Sequence, residues 1–478
     1  MSREVEGQSG SVKDHIAYAS DLDILIPLTQ RVPMFDVTFG YYTGYGNPLF
    51  SLGGGVVYSV LKYIVLKYHV LKGYKVIETP IIARTTLYKL SGHLDMYREN
   101  MFVFDLEGDE YALKPMNCPF HILAFISLVE RYGNRLKLPF KVFELGTVHR
   151  DERSGSLRGL MRARRFTQDD AHIFTTESMI VPSILNVFRE LKEIYEKLFH
   201  MPVTKESVTL RVSLSDRERI GEKYLGTPEE WELAEGKLRE IAEEIKKEYG
   251  IEYYEARGEA AFYGPKLDVV AFIEDRRTGE KKDWQIGTIQ FDFNLPKKFR
   301  LNEIVRKYTD VDEKVYMIHR ALLGSLERFM GVYLERYQGR LVFPLAPLQV
   351  LIIGITTGDE EVDKQIAQQV NTVEEGLVKE GYRAVGKLVA KTRLSGYVRK
   401  VESTIKPPVI AYIGKREVAR GEVALSIYDL AKRRRVKETV QGLPGVLSKL
   451  DEIEAPVREL IGEDPRLPVI LDYLAPQE

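Results

Sequence analysis

The segment FELGTVHRDERSGSLRGLMRARRFTQDDAHIF, residues 143–174, places two strand-like runs on either side of a long charged loop. Residues 141–148 and 171–175 carry the β-branched and aromatic side chains that favour strands. The loop between them, residues 150–164, contains glycines and many charged residues, which is typical of a connection at the surface. This pattern predicts a sheet built from hairpins, without regular alternation of strands and helices.

The segments around this one extend the same prediction over residues 38–345. Residues 102–115 are typical of a hairpin that turns at Gly108, and residues 75–82 of a strand interrupted by Pro80, which suggests an edge or an interface. Helices are predicted at 56–71, 183–199, 229–249 and 325–337, and further strands at 208–214, 267–274 and 288–295. We therefore expect an α+β core built on a mostly antiparallel sheet with flanking helices.

The pattern changes after FPLAP, residues 343–347, a proline-containing hinge that we interpret as a domain boundary. Strands and helices alternate beyond it, which is typical of a smaller α/β domain with a largely parallel sheet. The strands are predicted at 348–355 and 409–414, and the helices at 359–380 and 394–405. The predicted organisation is an N-terminal extension over 1–37, a first domain over 38–345 and a second over 346–478.

The composition excludes several classes of protein. The 478 residues are 44% hydrophobic and 29% charged, with a net charge of −1, which is typical of a globular protein with substantial cores. A single cysteine excludes a disulfide framework and fits the cytoplasm. The N-terminal residues lack the apolar stretch of a signal peptide, and no apolar run approaches the roughly eighteen residues of a membrane span. We therefore expect a cytoplasmic protein without a membrane partner.

Positive charge is concentrated in the second domain although the whole chain is nearly neutral. Residues 383–437 contain fifteen basic and four acidic residues, an excess of eleven positive charges. The simplest interpretation of such a run is a solvated helix face. Because the excess extends over much of a separate domain, it favours a polyanionic partner instead.

One cysteine and two distant histidines are candidates for a metal site. Cys118 lies in KPMNCPFH, His172 in TQDDAHIF and His319 in MIHRALLGS. These side chains could provide three ligands to zinc and leave a fourth position open for substrate. The spacing alone is weak support, because His121 would compete as a ligand and a lone cysteine is usually a small buried hydrophobic residue.

The charged loop has the residue types that phosphate chemistry uses. Six arginines lie between His149 and Asp170, and the planar guanidinium group is an always-charged, bidentate donor for phosphate oxygens. The alternative is a set of surface ion pairs with the neighbouring acids Asp151, Glu152, Asp169 and Asp170.

Several sequence blocks resemble motifs of the class II aminoacyl-tRNA synthetases. VIETPII, with Pro80, resembles motif 1, residues 143–174 resemble motif 2, and HRALLGSLERFMGVYLE resembles motif 3. Together with KPMNCPFH, AFYGPKLD and WQIGTIQFDFNLP, they make the chain similar to the threonyl-tRNA synthetase family from about Thr38 to the C-terminus. The resemblance implies an antiparallel catalytic sheet, an α/β anticodon-binding domain and a homodimer formed through motif 1. It also implies attachment of L-threonine to tRNA(Thr) by way of an adenylate made from ATP.

The same resemblance implies roles for individual residues. Cys118, His172 and His319 match the ligands of one zinc ion per chain, and His93 matches a histidine implicated in transfer to tRNA. Arg150, Arg162 and Arg328 match arginines at the ATP phosphates, and Glu152, Phe166 and Gln285 match residues at the nucleotide, which binds with Mg²⁺. Arg150, Arg328 and His93 are the implied catalytic residues. Gln168, Asp170, Tyr263 and Gln290 match the threonine pocket, with Asp170 at the hydroxyl, and Glu417 matches an anticodon-reading acid.

Two departures from the family pattern concern editing and the anticodon. The chain has no HxxxH pattern and only about forty residues before the core, so we expect no cis-editing of Ser-tRNA(Thr) and a separate protein that edits in trans. Thr392 and Ser426 stand where bacterial relatives have an asparagine and an arginine, so the detailed anticodon contacts are expected to differ.

Two alternatives follow from the same residues. The first is a synthetase-like paralogue that binds RNA without catalysis, and the second is a synthetase for another amino acid, such as serine or proline. The three motif arginines argue against the first alternative, and the Cys118, His172 and His319 set argues against both.

Overall fold

The structure is a computed structural model that describes residues 35–36, 44–50, 52–274, 281–462 and 465–466. Apart from Phe35 and Asp36, the extension predicted at 1–37 lies outside the described residues. Two runs of secondary structure follow one another along the chain, and they form separate sheets.

The first run extends to Tyr337. Its strands are β1 (Phe35–Asp36), β2 (Leu49–Phe50), β3 (Lys75–Val76), β4 (Ile82–Arg84), β5 (Val103–Leu106), β6 (Asp109–Leu113), β7 (Phe140–His149), β8 (Arg165–Thr176), β9 (Val208–Leu214), β10 (Tyr253–Arg257), β11 (Lys266–Glu274), β12 (Lys281–Asp292) and β13 (Val315–Ser325). Its helices are α1 (Leu52–Leu71), α2 (Thr85–Ser91), α3 (His93–Tyr97), α4 (Cys118–Tyr132), α5 (Ile180–Glu193), α6 (Pro228–Tyr249), α7 (Leu295–Lys298), α8 (Leu301–Tyr308) and α9 (Leu326–Tyr337). The predicted helices are confirmed, with ends that differ by a few residues.

The second run begins after a short 3₁₀ turn at Phe343–Leu345. Its strands are β14 (Val350–Thr356), β15 (Ala384–Ala390), β16 (Val409–Ile413), β17 (Glu422–Asp429) and β18 (Arg434–Gln441). Its helices are α10 (Glu360–Lys379), α11 (Leu394–Ser403), α12 (Lys415–Arg420) and α13 (Gly442–Ile461). None of the helices in the described part of the chain combines the length with the apolar character that crossing a membrane requires.

The large sheet contains, over the described residues, eight strands in the order β10-β9-β11-β12-β13-β8-β7-β3. Neighbours from β9 to β7 pair antiparallel, and only the two edge pairs, β10 with β9 and β3 with β7, are parallel. The prediction of a mostly antiparallel sheet is therefore confirmed. Successive side chains point to opposite faces, so Ile173 and Ile318 join the core under α1, α5 and α6, whereas Phe174 and Met317 join a second core under α4 and α8.

Residues 143–174 form most of the long antiparallel pair of β7 and β8. The pairing runs from Phe140 opposite Phe174 to His149 opposite Arg165, and residues 150–164 connect the strands as predicted. The predicted turn at Gly108 is also confirmed. Glu107 and Gly108 both have positive φ, as a two-residue hairpin loop between β5 and β6 requires.

Two strand predictions need correction. Residues 75–82 do not form one strand, because Pro80 separates β3, at the edge of the large sheet, from β4, which pairs with β6 in a small separate sheet. A proline has no N–H group to contribute to a ladder, and here it lies where the chain changes sheet. The strand predicted to extend to residue 295 ends at Asp292.

The second sheet has, within the described chain, the order β15-β14-β16-β17-β18. Its first three strands are parallel and are connected through helices, which confirms the α/β prediction. The sheet is mixed, however, because β17 and β18 form an antiparallel hairpin within the basic segment. The many charged residues of that segment hid its strand pattern.

The linker predicted as a hinge is buried. Arg383, which is 1% exposed, donates hydrogen bonds to the carbonyl oxygens of Ala346 and Pro344, at 3.0 and 2.6 Å. Leu351 and Ile461 of the second run belong to the same apolar cluster as the residues of α1. The two sheets therefore share a core, and Arg383 is not part of a basic surface.

At Gly264 the backbone packs closely against β12 of the large sheet. A Cβ atom at this position would lie 1.9 Å from the carbonyl oxygen of Phe291 in β12, and a backbone oxygen cannot move aside cheaply. We expect Gly264→Ala to destabilise the protein by about 1–3 kcal/mol or more, measured by urea unfolding. Gly236→Ala is the control: this position on α6 has no described atom within 4 Å of the added carbon, so the change should stabilise by about 1 kcal/mol. Equal stabilities of the two variants would contradict this packing.

Candidate active site

A cavity of about 510 Å³ opens between β8, β12 and β13 and the N-terminus of α4. Eight of the residues singled out in the sequence line it: Cys118, Arg150, Gln168, Asp170, His172, Tyr263, Gln290 and His319. They come from sequence positions up to about two hundred residues apart, so the sheet topology brings them together.

Three of these residues form a candidate metal site. Over the described residues, one ligand atom each from Cys118, His172 and His319 lies within 4.8 Å of the other two, and all three side chains are buried. His172 and His319 are direct partners in the pairing of β8 with β13. One thiol and two imidazoles are a ligand set that zinc accepts, with a further coordination position left for another ligand.

Hydrogen bonds fix the orientation of both imidazole rings. His319 Nε2 lies 2.8 Å from Asp292 Oδ2, and His172 Nδ1 lies 2.8 Å from His121 Nδ1. The remaining nitrogens, His172 Nε2 and His319 Nδ1, face each other at 2.9 Å. Two ring nitrogens at that distance need a proton or a metal ion between them, so the arrangement fits a bound cation.

His121, the competing ligand, lies behind His172. Its Nε2 atom is 3.2 Å from Glu144 Oε2, and Lys114 Nζ is 3.1 Å from the other oxygen of the same carboxylate. Among the residues described, His121 is outside the three-ligand group. His121 therefore lies where it can orient the ring of His172. The sequence did not reveal this contact.

The three candidate ligand side chains are buried. Burial lowers the pKa of His172, so its imidazole is neutral and able to coordinate. Burial also raises the pKa of the Cys118 thiol, and the carboxylates of Asp170 and Asp292 add to the effect. A metal ion bound there would displace the thiol proton.

The residues matched to the threonine pocket lie beside the metal site. Tyr263 donates a hydrogen bond of 2.5 Å to Gln290 Oε1, and its ring stacks on His319 with centroids 4.6 Å apart. Gln168 and Asp170 are on the same face of β8 as His172, because side chains two residues apart point the same way. The cavity thus combines a metal-ligand group, a carboxylate and two amides.

The arginines of the charged loop converge near the cavity. Burial lowers the pKa of Arg328, and the charges of Arg150 and Arg162 lower it further. Glu152 offsets part of this charge by accepting a 2.7 Å ion pair from Arg162. Like charges held this close disfavour one another unless an anion joins them, so the cluster fits a polyanion such as a triphosphate.

Aromatic rings lie next to the same arginines. The guanidinium carbon of Arg150 is 5.0 Å from the centre of the Phe166 ring and lies over the Tyr97 ring as well, at 5.8 Å. Arg328 is fixed by a hydrogen bond from its Nε atom to the Met161 carbonyl oxygen, at 3.0 Å. Phe166 therefore offers a ring close to the anion-binding charges, where a nucleotide base could stack.

A bulge in β13 sets the position of Arg328. The register with β8 shifts between Ala321 and Ser325, and the Ser325 hydroxyl then accepts a hydrogen bond from the Arg328 backbone N–H at the start of α9. Buried Asp169 accepts hydrogen bonds from the N–H groups of Leu322 and Leu323 in the bulge, at 2.8 and 3.1 Å. The sequence suggested a surface ion pair for Asp169, and its burial overturns that interpretation.

Two predicted residues, Gln285 and His93, bind other protein groups instead of lining the cavity. Gln285 donates a hydrogen bond of 2.9 Å to Asp268, a fully buried acid that also binds Arg211. Fully buried His93 has Nδ1 2.8 Å from the Ser91 hydroxyl and Nε2 3.5 Å from Cys118 Sγ, and burial lowers its pKa to about 3. Neither His93 nor Gln285 is among the described residues that line the cavity.

Glu417 lies in the second sheet domain, at the start of α12. Its carboxylate accepts a hydrogen bond of 2.9 Å from the Gly414 N–H. This bond satisfies a free donor at the helix start, so Glu417 has a structural partner besides any ligand.

Comparison with known proteins gives consistent matches. A sequence profile described as "tRNA synthetase class II core domain (G, H, P, S and T)" matches residues 100–337. The threonine–tRNA ligase catalytic subunit of Aeropyrum pernix is 48% identical over 472 residues, which cover 98% of this chain and 99% of that protein. The threonine–tRNA ligase of Synechocystis sp. is 36% identical over 382 residues, 78% of this chain and 58% of its own length. The chain therefore spans little more than half of that longer relative.

A solved structure agrees with the sequence matches. The crystal structure of ThrRS-1, a threonyl-tRNA synthetase from Aeropyrum pernix, superposes with a TM-score of 0.87 at 47% identity. The superposition covers 96% of this chain and 99% of that chain. Both sheets and the cavity between β8, β12 and β13 thus lie in a fold that a related protein shares.

Proposed function

We propose, because the chain belongs to the threonyl-tRNA synthetase family of class II aminoacyl-tRNA synthetases, that it attaches L-threonine to tRNA(Thr) in two steps. The observation that carries the proposal is the cavity itself, in which the buried Cys118, His172 and His319 group lies beside Asp170. A hydroxyl-bearing amino acid and a triphosphate can be held there side by side.

In the first step, a carboxylate oxygen of threonine attacks the α-phosphorus of ATP. The bond from this phosphorus to the bridging oxygen breaks, and pyrophosphate leaves with its electron pair. The carboxylate is already ionised, so this step needs no protein base. Arg150, Arg162 and Arg328 neutralise the crowded phosphate charge together with the Mg²⁺ that accompanies ATP, and Phe166 and Glu152 hold the adenine.

In the second step, a terminal ribose hydroxyl of the tRNA attacks the carbonyl carbon of the adenylate. The mixed anhydride bond breaks, AMP leaves with the electron pair of that bond, and a phosphate oxygen of AMP takes up the hydroxyl proton. His93 is the histidine that we assign to this transfer; it does not line the cavity, but its Nε2 atom lies 3.5 Å from Sγ of Cys118, which does. Since its side chain is fully buried, His93 would act through the residues between it and the tRNA end.

Cys118, His172 and His319 are the proposed ligands of one zinc ion per chain. Zinc at this position would supply a Lewis acid for the amino and hydroxyl groups of threonine. Asp170 accepts the hydroxyl hydrogen bond, while Gln168, Tyr263 and Gln290 complete the pocket. A ligand that lacks a hydroxyl leaves this carboxylate unsatisfied, which is the basis for selecting threonine.

We assign residues 346–478 to anticodon binding and residues 38–345 to catalysis. The support is the exposed basic surface of the second sheet, which includes Lys415 and Arg416 on α12 and the turn between β17 and β18. Glu417 is the proposed anticodon-reading acid. Its hydrogen bond to Gly414 uses one carboxylate oxygen and leaves the other for a base.

We also propose a homodimer formed through the end of α1 and the segment that follows it. Val70, Leu71, Val76, Ile81 and Ile82 are each 46–56% exposed, and such a cluster of apolar side chains is typical of a protein interface. Sedimentation of the full chain as a monomer at micromolar concentration would contradict this proposal.

We place the protein in the cytoplasm, where its tRNA substrate is found.

The zinc assignment leads to the central test of function. The full chain should contain one zinc per chain and catalyse ATP–pyrophosphate exchange that depends on threonine, not on serine, proline or other amino acids. Cys118→Ala should lose zinc and exchange together while the chain stays folded, because a small buried side chain replaces another. His200→Asn, at a histidine outside the site, should keep both.

Full exchange activity in a zinc-free preparation would overturn the zinc assignment. Zinc binding without any amino-acid-dependent exchange would support the alternative of an inactive RNA-binding paralogue.

The basic hairpin is tested by substitution, since removing residues 348–478 would expose the core that both sheets share. Lys432, Arg433 and Arg434 are exposed at the turn between β17 and β18. Their joint replacement by Gln, Asn and Gln should weaken tRNA charging about tenfold or more and reduce the salt slope of tRNA binding by about 2–3. Asn suits residue 433 because the φ of Arg433 is positive.

Threonine-dependent pyrophosphate exchange should be unaffected in this variant. Lys364→Gln with Lys379→Gln, on the acidic helix α10, is the control and should leave charging unchanged. If the hairpin variant charges tRNA as well as the wild type, the basic excess is only a solvated surface.

Fidelity gives a further prediction. A pocket that binds the hydroxyl should reject valine by about 10⁴ or more, whereas serine lacks only a methyl group and should be rejected only about 10–200-fold. We propose that the chain forms some Ser-tRNA(Thr) and does not clear it, so that a separate protein edits in trans. Purified enzyme given Ser-tRNA(Thr) should release serine at the spontaneous rate. Faster deacylation would mean that this chain contains an editing site.

A further inference from the structure

Asn117 is a fully buried side chain immediately before α4. Asparagine is among the preferred residues at a helix N-cap because its side-chain oxygen can accept a backbone N–H from the first turn. Here the side chain makes no such capping bond. Its Nδ2 atom instead donates a hydrogen bond of 2.9 Å to Asp170 Oδ2, on β8.

Gly146, on β7 opposite Gln168, provides the space for this contact. A Cβ atom at residue 146 would lie 2.4 Å from Asn117 Nδ2, 2.5 Å from Oδ1 and 2.6 Å from Cγ. The φ of Gly146 is outside the positive range, so its backbone conformation is open to any residue. The requirement for glycine here is one of volume, and the volume is occupied by the Asn117 amide.

The contact leaves one oxygen of Asp170 for the cavity. Asp170 lines the cavity, and Asn117 does not. No described residue donates a hydrogen bond to Oδ1 of Asp170, whereas Oδ2 is held by Asn117. A carboxylate that is held at one oxygen presents the other in a fixed direction.

We propose that Asn117 and Gly146 are positioning residues that fix Asp170 to receive the side-chain hydroxyl of the amino acid substrate. The pair thereby sets the preference for threonine over valine. This inference rests on the proposed function, and it adds two residues that do not line the cavity.

Removal of the amide tests the proposal. Asn117→Ala should lower kcat/KM for threonine in pyrophosphate exchange about ten- to a hundredfold, the value of one hydrogen bond to a charged group. Valine has no hydroxyl for Asp170, so its kcat/KM should hardly change, and the threonine-to-valine ratio should fall by the same factor. The KM for ATP and the zinc content should stay at wild-type values. Asn186→Ala, at an asparagine on α5 that binds Glu190, is the matched control.

A second variant displaces Asn117 without changing it. Gly146→Ala pushes a methyl group into the amide and should reduce the threonine-to-valine ratio as Asn117→Ala does. In the double variant, Asn117→Ala with Gly146→Ala, the added methyl group fills the space that the amide leaves. The thermal midpoint should therefore recover toward that of the wild type, while the threonine-to-valine ratio stays low. Recovery of the ratio together with the midpoint would show that Asn117 only packs, and would overturn the proposal.

Dependence on Asp170 completes the test. In an Asp170→Ala background, Asn117→Ala should cause no further loss of the ratio, because the group that it positions is absent. A wild-type chain without threonine-dependent exchange would overturn the proposed function and this inference with it. A wild-type chain that activates threonine, with an unchanged ratio in Asn117→Ala, would overturn this inference alone.

Discussion

The antiparallel pairing of β8 with β13 is the contact on which the functional arrangement depends. It places His172 directly opposite His319, so the register of two strands alone brings together ligands that are 147 residues apart. Asp169 holds the bulge that ends this pairing, and the bulge directs the chain into α9 and Arg328. A slip of one residue would turn His172 toward the opposite face of the sheet. The candidate metal ligands and Arg328, one of the arginines proposed to bind ATP, therefore share one structural cause.

The sequence predicted strands and helices where an element leaves a clear local pattern, but it missed α4, α13 and the charged hairpin of β17 and β18. The alternation of Gln168, Asp170 and His172 even indicates which side chains share a face, since residues two apart on a strand point the same way. The resemblance supplied eight of the residues that line the cavity. What the sequence could not reveal are contacts made between distant segments, such as that between Asn117 and Asp170, or the ring of His121 behind His172. The donors there are common polar residues, and no local pattern marks them.

Several arginines bind groups within the protein, so the number of basic residues in the sequence overstates the positive charge at the surface. Arg320, which is 1% exposed, donates to the Asp169 carbonyl oxygen and lies over the Tyr74 ring. Arg435 pairs with Glu402, which also binds Arg340 at 2.6 Å, so two guanidinium groups from different parts of the chain share one carboxylate. The basic excess of the second sheet domain is thus smaller at the surface than in the sequence. Only the fold separates arginines that bind the protein itself from those that are free to meet an anion.

The buried linker fixes the distance between the cavity and the basic hairpin of the second sheet. Arg383 clamps the carbonyl oxygens of the 343–347 segment, and apolar residues of both sheets close over it. Rotation of the second sheet about this segment would break those hydrogen bonds and open a dry core. The cavity and the turn between β17 and β18 are therefore held at a constant separation. Under the proposed function, a tRNA that binds at both points must present its 3′ end and its anticodon loop at that same separation, so the distance between them becomes a condition for charging.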